Sequence, residues 1–114
     1  RMAMDREHAR QALPGSMKRV EEALSELALR SSTSPSPEAF ASVQPFCVDT
    51  MTFPEWVQFV FLPKLEGMLE GGEAMPPWCD VAPMAEEYFR KLEQDGSLLI
   101  EALRRLDELV TAAR

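Results

Sequence analysis

Few residues in this 114-residue chain have both the type and the spacing to do chemistry. Nucleophilic catalysis of the Ser–His–Asp or Cys–His kind needs a histidine held rigidly beside the nucleophile. The single histidine, His8, lies ahead of the turn-type cluster Pro14-Gly15-Ser16, in the part of the chain with the weakest structural signals. The two cysteines, Cys47 and Cys79, form no Cys-x-x-Cys pair, and with one histidine they do not supply the three or four ligands of a zinc site. They are either one long-range disulfide or two partly buried thiols, and a reducing compartment favours the thiols. Gly71-Gly72 lacks the strand before it and the lysine after it that a phosphate-cradling loop needs. No catalytic, cofactor-binding or metal-binding residue is assigned, and no cofactor is expected.

The carboxylates nearest to a usable arrangement are Asp49 and Glu55. As a pair they could exchange protons with a substrate. Their simpler roles are structural: Glu55 sits three residues after Thr52 in a capping box, and Asp49 accepts backbone N–H bonds in a turn. Trp56 and Phe59 read as core. Trp78 differs, because it stands beside Pro76-Pro77 in a loop, where it either covers a groove or anchors a partner. Gln44, Asp49, Thr50, Trp56, Gln58 and Trp78 are the candidate binding residues.

The net charge is −7 and is unevenly placed. Residues 1–37 carry about +1, residues 81–114 about −2, and residues 38–80 hold only Lys64 against seven carboxylates. Phosphate backbones are bound by clustered Lys/Arg, so direct nucleic-acid binding is not expected. An acidic middle is either a solubility device or a face for a basic protein. No stretch has the ~18 apolar residues of a membrane span, and the start has no signal-peptide core. The expectation is a cytoplasmic protein without a membrane partner.

Apolar spacing outlines the elements that must position these residues. Met17, Val20, Leu24 and Leu27 form one helical stripe, with Leu13 in phase before Pro14. The spacing predicts a helix capped by Ser16 and ending near Arg30, with residues 1–14 a loosely attached extension. Residues 31–37, rich in Ser and Pro, read as a polar loop, followed by one helical turn around Phe40. Thr52-Phe53-Pro54-Glu55 starts a helix that is apolar on nearly every side from Trp56 to Leu65, which predicts a central helix. Pro63 should kink or split it, and Gly71-Gly72 should end it. Asp80 is expected to start the next helix, with Met84, Tyr88, Phe89 and Leu92 on its apolar side. Leu99, Leu103, Leu106 and Val110 define the last helix. Strand periodicity is absent. The expected fold is a single all-α domain: a compact bundle of four main helices with short extra helical turns.

The segment Gln44-Pro45-Phe46-Cys47-Val48-Asp49-Thr50-Met51, then Glu55-Trp56-Val57-Gln58 and an apolar run into Pro63-Lys64, resembles the core pattern of the YqcC-like family of small bacterial proteins. Val81-Ala82-Pro83 and Leu106-Asp107 also fit, and the resemblance spans roughly residues 17–110. It implies an all-helical fold. It transfers no catalytic residue, because the family has none established. It also implies an association with RNA modification, since such proteins are often encoded beside a tRNA pseudouridine synthase.

Two functional readings follow. In the first, the chain is a non-enzymatic protein–protein interaction or accessory module, linked to tRNA modification by the family association. In the second, it is a small-molecule binder or an enzyme, with a pocket at the Gln44–Pro63 motif opened by the Pro63 kink.

Overall fold

The structure, a computed structural model, describes residues 5–77 and 79–114. Asp5 caps the first helix by accepting the His8 N–H at 2.8 Å, and α1 then runs Arg6–Glu26 without interruption. The break expected at Pro14 does not occur. An internal proline costs a helix about 3 kcal/mol, but Pro14 is exposed while Ala9, Leu13, Met17, Val20 and Leu24 stay in phase and buried on the other side. Burial of that stripe outweighs the lost bond, so residues 6–13 are part of the packed helix rather than a loose extension, and Ser16 lies inside it. The helix also ends four residues before Arg30. Ala28 turns into the left-handed region (φ 58°) while Leu29 N–H reaches Leu24 O and Ala28 N–H reaches Ser25 O. This is a Schellman closure made without glycine.

The centre of the molecule is α1 packed along α6 (Ser97–Ala113), whose Leu99, Leu103, Leu106 and Val110 are fully buried. Gln94 donates to the carbonyl of Leu27 and so sets the end of α1 beside the start of α6. The aromatic-rich helix is not the central one. It buries Trp56, Val57, Phe61, Leu62 and Leu65, while Phe59 and Val60 are half-exposed.

That helix has three parts: α3 (Phe53–Trp56), a π-helical turn (Val57–Phe61) and α4 (Leu62–Glu70). Leu62 N–H bonds Val57 O, five residues back, so the helix widens just before Pro63. The wider turn gives the ring the room that regular α geometry denies it, and this is how Pro63 splits the helix. Gly72 (φ 68°) closes α4, with Glu73 N–H to Met68 O and Gly72 N–H to Leu69 O, as the glycine pair predicts.

A short α2 (Pro37–Phe40) follows the Ser/Pro loop. The helix after the second loop, α5 (Ala82–Arg90), has no cap from its own segment. Asp80, expected to start it, is exposed. Its place is taken by Asp107 of α6, a buried charged residue whose Oδ2 accepts the N–H groups of Val81 and Ala82 at 2.8 Å each. A carboxylate at a helix N-terminus gains both from the free N–H groups and from the helix dipole. No strand occurs among the described residues, and none of their helices is long and apolar enough to cross a membrane. The fold is all-α, a compact bundle with four main helices.

Candidate interaction surface

Between α2 and α3 the chain makes a 3₁₀ turn, Pro45–Cys47. Phe46 and Cys47 both have positive φ, 58° and 53°. Side chains with a Cβ resist this region by roughly 1–2 kcal/mol per residue. Local bonds hold the turn in place: Cys47 O accepts from Thr50 N at 3.0 Å and Met51 N at 2.9 Å, and Thr50 Oγ1 donates to Ala39 O at 2.8 Å. Met51 is buried and anchors the far end. The capping box then starts α3, with Thr52 N–H on Glu55 Oε1 at 2.8 Å and Glu55 N–H on Thr52 Oγ1 at 3.3 Å.

The consequence is an aromatic face. Trp56 stacks on Phe61 (5.3 Å) and Phe53 (6.3 Å), and Phe46 meets it edge-on at 5.1 Å. Phe53 continues to Tyr88 of α5 at 5.8 Å. Phe46, Phe53, Trp56 and Tyr88, together with Val48, Met51 and Met84, border an open cavity of about 310 Å³. Phe46 is 40% exposed and Val48 63%, and Val43 beside them is 94% exposed. The lining offers no carboxylate, amine or thiol, only the hydroxyls of Thr52 and Tyr88. Such a surface, largely apolar with two hydroxyls in its lining, is suited to binding by apolar contact.

The candidate residues are not gathered in one place. Gln44, Asp49 and Thr50 are exposed and line neither this cavity nor the one beside Gln58. Asp49 accepts the Ser42 hydroxyl rather than backbone N–H groups. Glu55 is committed to its box. Gln58 points away from the aromatic face and clasps the loop after α1, accepting Ser31 N–H and donating to Ser31 O, both at 2.8 Å. Of the five candidates among the described residues, Trp56 alone lines the cavity of the aromatic face, and Trp78 lies outside the described residues. Phe46, Val48, Phe53, Met84 and Tyr88 were not singled out from sequence. The Met84–Tyr88 spacing puts both on one side of α5, but nothing in the sequence signals the positive φ at Phe46.

The thiols are unpaired. Cys79 donates to Asp107 Oδ1 at 3.2 Å, and burial, reinforced by that carboxylate, pushes its pKa well above the ordinary thiol value. No group of three or more metal-ligating side chains occurs among the described residues.

The family described as "DUF446: tRNA pseudouridine synthase C" matches residues 12–109. An uncharacterized protein of Haemophilus influenzae is 40% identical over 75 residues, which cover 66% of this chain and 70% of that protein. The uncharacterized protein YqcC of Escherichia coli is 35% identical over 75 residues, covering 66% of this chain and 69% of its own. The solution NMR structure of E. coli YqcC superimposes with a TM-score of 0.78, at 29% identity over 90% of this chain and 88% of that one. A protein of Pectobacterium carotovorum named tRNA pseudouridine synthase C is 42% identical over 57 residues, which are 50% of this chain but 15% of that protein.

Proposed function

The chain belongs to the family described as DUF446, tRNA pseudouridine synthase C, and on that footing we propose that it is a non-enzymatic docking module for a tRNA pseudouridine synthase. The observation that carries the reading is the aromatic face: Phe46 and Val48 remain exposed at a turn in which Phe46 and Cys47 are left-handed. Backbone strain of this kind collects at functional sites, and exposed apolar patches bordered by polar residues mark partner contacts.

The choice of partner rests on the Pectobacterium relative. There the similar segment is a small part of a much longer chain that carries the synthase name. A module joined to an enzyme in one chain is a natural binding partner of that enzyme when the two are separate. Residues 38–80, with one lysine against seven carboxylates, argue for contact with the enzyme rather than with its RNA.

The test is calorimetric titration of this protein with the purified tRNA pseudouridine synthase of the same genome. Binding is expected with a dissociation constant of about 10 μM or tighter. Val48→Asp, at an exposed position, should abolish it while leaving the melting temperature unchanged. Bulk tRNA at about 0.15 M salt should give no saturable signal. Absence of enzyme binding, or full binding by Val48→Asp, refutes the proposal.

A further inference from the structure

A second surface lies on another side of the same helix. Trp56, on the aromatic face, and Gln58 are two residues apart and therefore point to nearly opposite sides. Beyond Gln58, residues of α1 and α4 border a groove of about 440 Å³. Its floor is apolar, with Met17 and Leu62 buried and Leu69 half-buried. Its walls are stiff. Pro14 and Pro63, each with its φ fixed by the ring, both line it, and Gln58 in its lining is held by its two hydrogen bonds to Ser31.

The rim is acidic. Glu21 of α1 and Glu66 and Glu70 of α4 border the groove, with Lys18 the one cation of its lining. Several carboxylates elsewhere on the long helices have an arginine beside them: Glu22 and Glu26 share Arg19, Glu87 pairs with Arg90, Glu86 and Glu101 share Arg104, and Glu108 pairs with Arg105. Glu21, Glu66 and Glu70 enter no ion pair among the described residues. Unneutralised charge along a rigid apolar groove repels itself until a cationic partner arrives.

We infer that this groove receives a basic amphipathic helix of another protein, its apolar side chains on Met17, Leu62 and Leu69 and its Lys/Arg residues against Glu21, Glu66 and Glu70. A helix is the fitting shape. The lining residues of α1 recur at helical spacing, 14, 17, 18 and 21, and those of the π-helical turn and α4 at 58, 62, 66 and 70, so the groove runs along two helices and a third completes the packing. A peptide that binds by adding a strand would need a sheet edge, and no strand is present among the described residues. A cationic helix complements the acidic rim better than a second copy of this chain, whose net charge is −7. The site does not depend on the aromatic face or on the synthase.

The experiment is an NMR titration of the full, ¹⁵N-labelled chain with a helical Leu/Lys peptide of about 18 residues, five turns, alongside a Leu/Glu peptide of the same pattern. Shifts on adding the Leu/Lys peptide should concentrate at residues 14–21 and 58–70, and the Leu/Glu peptide should cause none. The double replacement Glu66→Lys with Glu70→Lys, at exposed positions, should weaken binding about tenfold. Val48→Asp should bind the Leu/Lys peptide as the parent does, so failure here is separable from failure at the aromatic face. Shifts centred on the aromatic face, equal binding of the Leu/Glu peptide, or unchanged affinity in a folded charge-reversed variant would each overturn the inference.

Discussion

Replacing Asp107 with alanine removes the group that starts α5 from a neighbouring helix. Its Oδ2 takes two backbone N–H groups at 2.8 Å, those of Val81 and Ala82, and its Oδ1 takes the Cys79 thiol. The side chain is 8% exposed, and α5 has no cap of its own to fall back on. Hydrogen bonds to a charged group contribute about 1.5–3 kcal/mol each. Two of them lost, with both donors left in a buried site, predict a cost of about 3–5 kcal/mol. That is a large share of the ~5–15 kcal/mol that holds a typical domain together. Asp107→Asn keeps the shape and one acceptor oxygen, so it should cost less, about 1–2 kcal/mol. Urea unfolding followed by far-UV circular dichroism reads both, with an unchanged slope showing that the midpoint shift is a stability change. If alanine costs under about 1 kcal/mol, or if asparagine is as damaging as alanine, the carboxylate is not the cap described here.

Other consequences are equally direct. Thr52→Ala and Glu55→Ala should each destabilise by about 1 kcal/mol, and the double variant by less than their sum because both act on one capping box; strict additivity in denaturant melts would contradict the box. Gly96→Ala should cost more than about 2 kcal/mol, since a Cβ there would run into the Phe89 ring; a melting temperature equal to the parent's would show that the ring moves aside freely. Cys79 should resist iodoacetamide at pH 8 in the folded protein and react once unfolded, as mass spectrometry can follow, because its raised pKa keeps the thiol neutral. The sign for stability follows from the same shift. The contribution is full below the ordinary thiol pKa and is lost as the pH rises beyond it, so Cys79→Ser should flatten the alkaline decline; an unaltered decline would contradict the assignment.

The Thr52–Glu55 box, the Gly71-Gly72 stop and the stripe of α6 were legible because each is a local code: a cap, a left-handed glycine, a three–four repeat. Pro14 and Asp80 misled for the same reason. Both are local signals, and each was overridden by a contact from far along the chain, the packing of α1 on α6 in one case and the reach of Asp107 in the other. The candidate site was legible only as a segment. The sequence pointed to residues 44–63 and to Trp78, but it could not say that Asp49 is occupied by Ser42, that Gln58 faces the Ser31 loop, or that Phe46 and Val48 face solvent.

From the sequence by itself follow the all-helical class and the acidic middle, because composition and periodicity are properties of residue types and their order. Tertiary structure alone decided which helices form the centre, how Pro63 is accommodated by a π-helical turn, and which side chains remain exposed. Those outcomes depend on competition between distant parts of the chain for the same buried space. A half-exposed aromatic such as Phe46 has the same letter as a buried one such as Phe61. The left-handed turn that separates their fates is held by bonds from Ala39, Thr50 and Met51, residues whose convergence no local pattern records.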